Sequence, residues 1–89
     1  MVEVSVPPYI LTDADGSNPR IIIPVKTPAA LVMVESRTRG RLLVRDAGAE
    51  GAHLAIDTAR RYVRLHRRRL DVLYAQMDRI EKSAPRGSV

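Results

Sequence analysis

Eighty-nine residues suffice for one domain, and 45% of them are apolar, so this is not the composition of a disordered chain. Cys, Phe and Trp are absent, which excludes disulfides and thiolate zinc sites and leaves a core of aliphatic side chains with Tyr9, Tyr62 and Tyr74 as the only large aromatics. The formal charge of +5 suits an acidic partner, although 13 of the 15 bases are arginine in a chain rich in Ala, Val and Gly, a bias that a GC-rich genome produces by itself.

Residues 1–19 carry three acids and no base, whereas 20–46 and 47–89 each net +4. Val6-Pro7-Pro8 cannot be helical, and residues 1–8 read as an N-terminal arm. A short strand at 9–12 leads into Asp13-Ala14-Asp15-Gly16-Ser17-Asn18-Pro19, a concentrated turn signal. The β-branched run of 20–25 predicts a strand, and Pro24, which donates no ladder hydrogen bond, predicts that it lies at a sheet edge. Residues 30–35 and 41–45 pair as a hairpin across Ser36-Arg37-Thr38-Arg39-Gly40, and 46–51 form a second loop.

From Ala52 to Ser83 there is no Gly and no Pro. At 3.6 residues per turn, Ile56, Ala59, Tyr62, Val63, His66, Leu70, Leu73, Tyr74, Met77 and Ile80 fall within an arc of about 120°, with Arg60, Arg61, Arg64, Arg67 and Arg68 opposite. Glu50 before the first turn and Lys82 in the last suit the helix dipole. The fold class is therefore α+β: a three- to four-stranded antiparallel sheet over about 9–46, followed by one long C-terminal amphipathic helix over about 52–82. Residues 9–82 form the single domain and 83–89 a flexible tail.

Six of the ten residues from 60 to 69 are Arg, with no acid among them. Their planar guanidinium forks suit a row of nucleic-acid phosphates. Arg37, Arg39 and Arg41 alternate in the hairpin and could extend that surface from one side. Ion pairing of Asp57 with Arg61, and of Asp71 with Arg67 or Arg68, would offset part of the charge on a merely solvated face. No Asn, Gln or aromatic residue interleaves with the arginines, so reading of bases has no visible basis. The alternative is a protein-interaction module, a small inhibitor, antitoxin-like partner or assembly factor, docking on an acidic protein.

Catalysis finds no constellation. The serines lie in arms, loops and tails without a base, and His66 sits alone on the inward arc. The loop from Asp13 has its glycine too early and Pro24 where a calcium loop needs Glu. Gly48-Ala49-Glu50-Gly51 lacks the Lys-Ser/Thr of a phosphate loop. No enzyme, metal or cofactor is expected. An unbroken 52–82 helix would be about 46 Å long and overhang a sheet of this size. Leu70, Leu73, Tyr74, Met77 and Ile80 would then form the interface of a homodimer. No segment has the length and hydropathy of a membrane span or the pattern of a signal peptide, and a cytoplasmic location is expected.

Overall fold

The computed structural model describes residues 1–83. It contains β1 (Glu3–Val4), β2 (Tyr9–Leu11), β3 (Arg20–Lys26), β4 (Leu31–Ser36), β5 (Leu43–Val44), α1 (Ala52–Leu65) and α2 (Arg67–Ser83). The α+β class and the antiparallel sheet followed by helical structure are as expected; the helical part is two helices, not one. The expected tail lies outside the described residues except for Ser83, which ends α2.

Five strands occupy four lanes. β3 is central, with β4 and then β5 on one side, and β1 and β2 sharing the lane on the other. Glu3 and Val4, expected in a free arm, pair with Lys26 and Val25, while Tyr9, Ile10 and Leu11 pair with Ile22, Ile21 and Arg20. This corrects the expectation drawn from Pro24. The proline lies mid-sheet because its missing N–H faces the interval between β1 and β2, where Pro7 and Pro8 interrupt the neighbouring strand. Its carbonyl still accepts a hydrogen bond from Ser5 N–H at 2.9 Å. A central proline is tolerated when the ladder is already open opposite it.

The cross-strand register sorts side chains between the two faces. Val4–Val25–Val32, Ile23–Val34–Val44 and Ile10–Ile21–Ser36 form rows on the helix-covered face. α1 packs over β1, β3, β4 and β5 through Ala52, Ala55 and Ala59, whose small side chains let the helix approach closely, and α2 packs over β2 and β3 through Leu70, Tyr74 and Met77.

The break between the helices is at His66, whose φ of −117° and ψ of 41° are not helical. Hydrogen bonding closes on either side of it, from His66 N–H to Tyr62 O at 2.9 Å and from Leu70 N–H to His66 O at 3.1 Å. Neither Gly nor Pro is needed. Interrupting a helix forfeits bonds worth about 1 kcal/mol net each, whereas burying a large apolar side chain gains roughly 1.5–3 kcal/mol. Keeping α2 over the β2–β3 corner buries three. His66 itself, expected inward, is exposed and stacks on Tyr62 with ring centroids 4.2 Å apart.

Gly51 caps α1 with φ of 87°, and a Cβ there would stand 2.7 Å from Thr27 Oγ1. That oxygen is the hub of the β3–β4 turn, donating to Ala30 O at 2.8 Å and accepting from Ala30 N–H at 3.0 Å. The glycine therefore serves both backbone conformation and close approach of the helix start to the turn.

Candidate functional site

Arg60, Arg61, Arg64, Arg67, Arg68 and Arg69 are all exposed. They do not follow one uninterrupted helix, because His66 separates Arg64 from Arg67. Arg64 and Arg67 nevertheless line one shallow groove with Arg39 and Gly40 of the β4–β5 loop, floored by Val63, Leu70 and Tyr74. The loop and the two helices thus contribute one arginine each.

Tyr74 fixes this meeting. Its hydroxyl, buried with the side chain, is hydrogen-bonded to Ser36 Oγ, and Ser36 is fully buried at the end of β4. Ser36 Oγ also donates to Thr38 O at 3.1 Å. Each hydroxyl has one proton and both reach Thr38 O, Ser36 at 3.1 Å and Tyr74 at 3.5 Å; the shorter contact assigns the serine proton to Thr38 and leaves the tyrosine to donate to Ser36. Above the ring lies the guanidinium of Arg39, 4.9 Å from the centroid, paired with the Asp71 carboxylate.

The ion pairs differ from those expected of a solvated face. Asp71 meets Arg39 rather than Arg67 or Arg68, and Asp57 meets Arg60, at 3.8 Å, rather than Arg61. Nor do the hairpin arginines share a side: Arg37 bonds Asn18 Oδ1 at 3.1 Å, near the β2–β3 turn, while Arg39 lies against α2 and Arg41 stays in the exposed loop. Strand alternation does not hold between β4 and β5, because residues 37–42 are loop.

Of the residues expected at a dimer interface, Leu70, Tyr74 and Met77 are in this chain's own core, and Leu73 and Ile80 are half-buried. The first three are covered by this chain's own sheet and are not left for a second copy. Leu65 and Val72 remain exposed, with Leu65 among Arg67, Arg68 and Arg69 at the break.

The other face of the sheet carries a buried ion cluster that sequence reading missed. Glu35, 5% exposed, lies 3.3 Å from Arg20 Nε on one side and 3.3 Å from Arg45 Nε on the other, and Arg20 reaches Asp13 at 3.0 Å. Alternate positions in β3 and β4 are the signal that could have found it, since Ile22 and Glu35 are register partners. Both carboxylates of the turn after β2 are in use: Asp13 holds Arg20, and the Ser17 side chain and N–H bond Asp15, keeping its carboxyl below its ordinary pKa. Among the described residues, no group of three or more metal-ligating side chains occurs, and no helix is long and apolar enough to cross a membrane. Comparison with protein-family models, curated proteins and solved structures finds no significant match.

Proposed function

We propose that this is a small basic binding protein that contacts nucleic-acid phosphates at the groove between the β4–β5 loop and the helix break. The observation that carries the reading is that Arg39, Arg64 and Arg67, from three separate elements, line the same groove. Arg60, Arg61 and Arg68 extend the charge along the helices, whereas Arg37, held by Asn18, and Arg41 do not line the groove. A second feature supports an anion here. Arg67, Arg68 and Arg69 occupy the first turn of α2 with no acid among them, just after Arg64 in the last turn of α1, so like charges crowd the helix break. A phosphate there would relieve their mutual repulsion. The Arg39–Asp71 pair is exposed, and such pairs are worth little enough for a phosphate to displace Asp71.

Contact of this kind positions a backbone and carries no sequence information. Binding is therefore expected to be weak, salt-sensitive and nearly indifferent to sequence. No catalytic role is proposed, the protein is assigned to the cytoplasm, and self-association needs a surface other than the buried Leu70, Tyr74 and Met77.

The test is fluorescence anisotropy of a labelled DNA duplex with the parent and with Arg64→Glu/Arg67→Glu. The exposed pair can be changed without disturbing the core, and each lost phosphate contact lowers the salt slope by about 0.9 on duplex DNA. Equal binding by parent and variant would refute the site. A nuclease-insensitive 1:1 complex with an acidic protein, lost in the same variant, would move the reading to a protein-interaction module.

A further inference from the structure

An antiparallel sheet with one solvated face alternates apolar and polar residues cleanly. This sheet does not. Opposite the helices, Tyr9, Leu11, Leu31, Met33 and Leu43 are each 38–55% exposed, and the buried Ile22 and Pro24, register partners of Tyr9 and Met33, lie between them. β2, β4 and β5 thus present large apolar side chains on this face as well as on the helix side, around the Glu35 ion cluster, and large apolar side chains on both sides are the pattern of a sheet covered on both faces.

Charge says what can cover it. The open face and its rim carry four bases, Arg20, Lys26, Arg37 and Arg45, and five acids, Glu3, Asp13, Glu35, Asp46 and Glu50, for a net −1 where the whole chain is +5. Two copies of a molecule this basic repel each other through the arginine-rich helix side. They do not through this one. Size agrees: four lanes about 4.8 Å apart and a seven-residue central strand give a face of roughly 20 by 24 Å. With its rim it approaches the lower end of the ~800 Å² per partner of a standard interface.

We infer that the open sheet face is a two-fold self-association surface, through which a second copy of this chain packs sheet against sheet. The helices then form the two outer layers, and the basic grooves face solvent on opposite sides of the dimer. The inference is independent of what the grooves bind.

The chain lacks cysteine, so single cysteines can be labelled cleanly. Spin labels at Lys26→Cys, at the rim of this face, should report an inter-copy distance under about 25 Å, because packed sheets lie ~10 Å apart and the end of β3 is about 10 Å from the centre of the face, whereas labels at Leu65→Cys should lie beyond about 30 Å. Light scattering of the parent at tens of micromolar should give twice the 9.9 kDa chain mass, and Leu11→Thr/Met33→Thr should give the chain mass with an unchanged circular-dichroism spectrum. Should that variant fail to fold, the rim change Leu31→Thr, at a residue 55% exposed, reads the same loss as a raised dissociation constant. A monomeric parent at 100 µM overturns the inference even if it binds DNA, leaving the phosphate reading intact. Dimers that survive in both variants, or Leu65 labels closer together than Lys26 labels, overturn it as well.

Discussion

The Tyr74–Ser36 hydrogen bond ties α2 to the end of β4 and so holds the arginine groove in shape, which makes its energetics a direct test of the arrangement. Tyr74→Phe removes the donor but leaves Ser36 Oγ its bond to Thr38 O, so the loss should be near the net value of one hydrogen bond, about 1 kcal/mol. Ser36→Ala is worse: the buried phenol keeps only Thr38 O, 3.5 Å away, and an unsatisfied buried hydroxyl costs roughly 1–3 kcal/mol, here about 2. The double variant removes both polar partners and should lose about 2 kcal/mol rather than the additive 3, a coupling of about 1 kcal/mol. Urea unfolding followed by circular dichroism measures all four corners of the cycle. For a domain this size the two single variants should melt lower by about 4–8 °C per kcal/mol. A coupling below about 0.3 kcal/mol, or Tyr74→Phe costing more than Ser36→Ala, would refute the hydroxyl pairing and the donor assignment.

Local pattern made β3, β4 and the start of α1 readable. The β-branched run at Ile21-Ile22-Ile23 and the absence of Gly and Pro after Ala52 need no knowledge of distant partners. The place of β3 in the sheet did need it. Pro24 argues for an edge until Glu3–Val4 and Tyr9–Leu11 are known to flank it with a gap opposite the proline. The helix break is hidden for a different reason. On an ideal helix the buried residues of α1, Ala52, Ala55 and Ala59, and those of α2, Leu70, Tyr74 and Met77, differ in mean direction by only about 35°, so periodicity runs through His66 undisturbed. Periodicity also says which face is apolar without saying what covers it, so Leu70, Tyr74 and Met77 fit a partner chain as well as their own sheet. The arginines at 37 and 39 diverge because they are loop residues, where no period governs direction. The apolar open face was legible in principle, since Arg20–Lys26 and Leu31–Ser36 lack polar alternation.

Two further substitutions test the packing. Gly51→Ala combines a positive φ with a Cβ 2.7 Å from Thr27 Oγ1 and should cost about 2–3 kcal/mol, whereas Gly40→Ala, at φ 77° with open space around it, should cost about 1 kcal/mol; equal losses in thermal unfolding would count against the close approach of α1 to the β3–β4 turn. The Glu35 cluster gives a sharper contrast. Glu35→Leu leaves Arg20, whose side chain is only 10% exposed, with Asp13 as its one remaining acid, while Arg45, 73% exposed, simply turns to water. Loss of one partner of a wholly buried pair costs 3–5 kcal/mol, and the surviving Asp13 contact should bring this to about 2–3 kcal/mol. Arg20→Met/Glu35→Leu removes the stranded charge together with its partner and fills the space with apolar atoms on a face already apolar around it. It should therefore recover to within about 1 kcal/mol of the parent, since desolvation of a buried pair offsets most of its Coulombic attraction. Denaturant unfolding of the parent, the single and the double variant decides between them. A double variant less stable than Glu35→Leu alone would mean that the pair stabilises the sheet beyond its desolvation cost, and that the arginine, not the burial of its carboxylate partner, sets the energetics of this face.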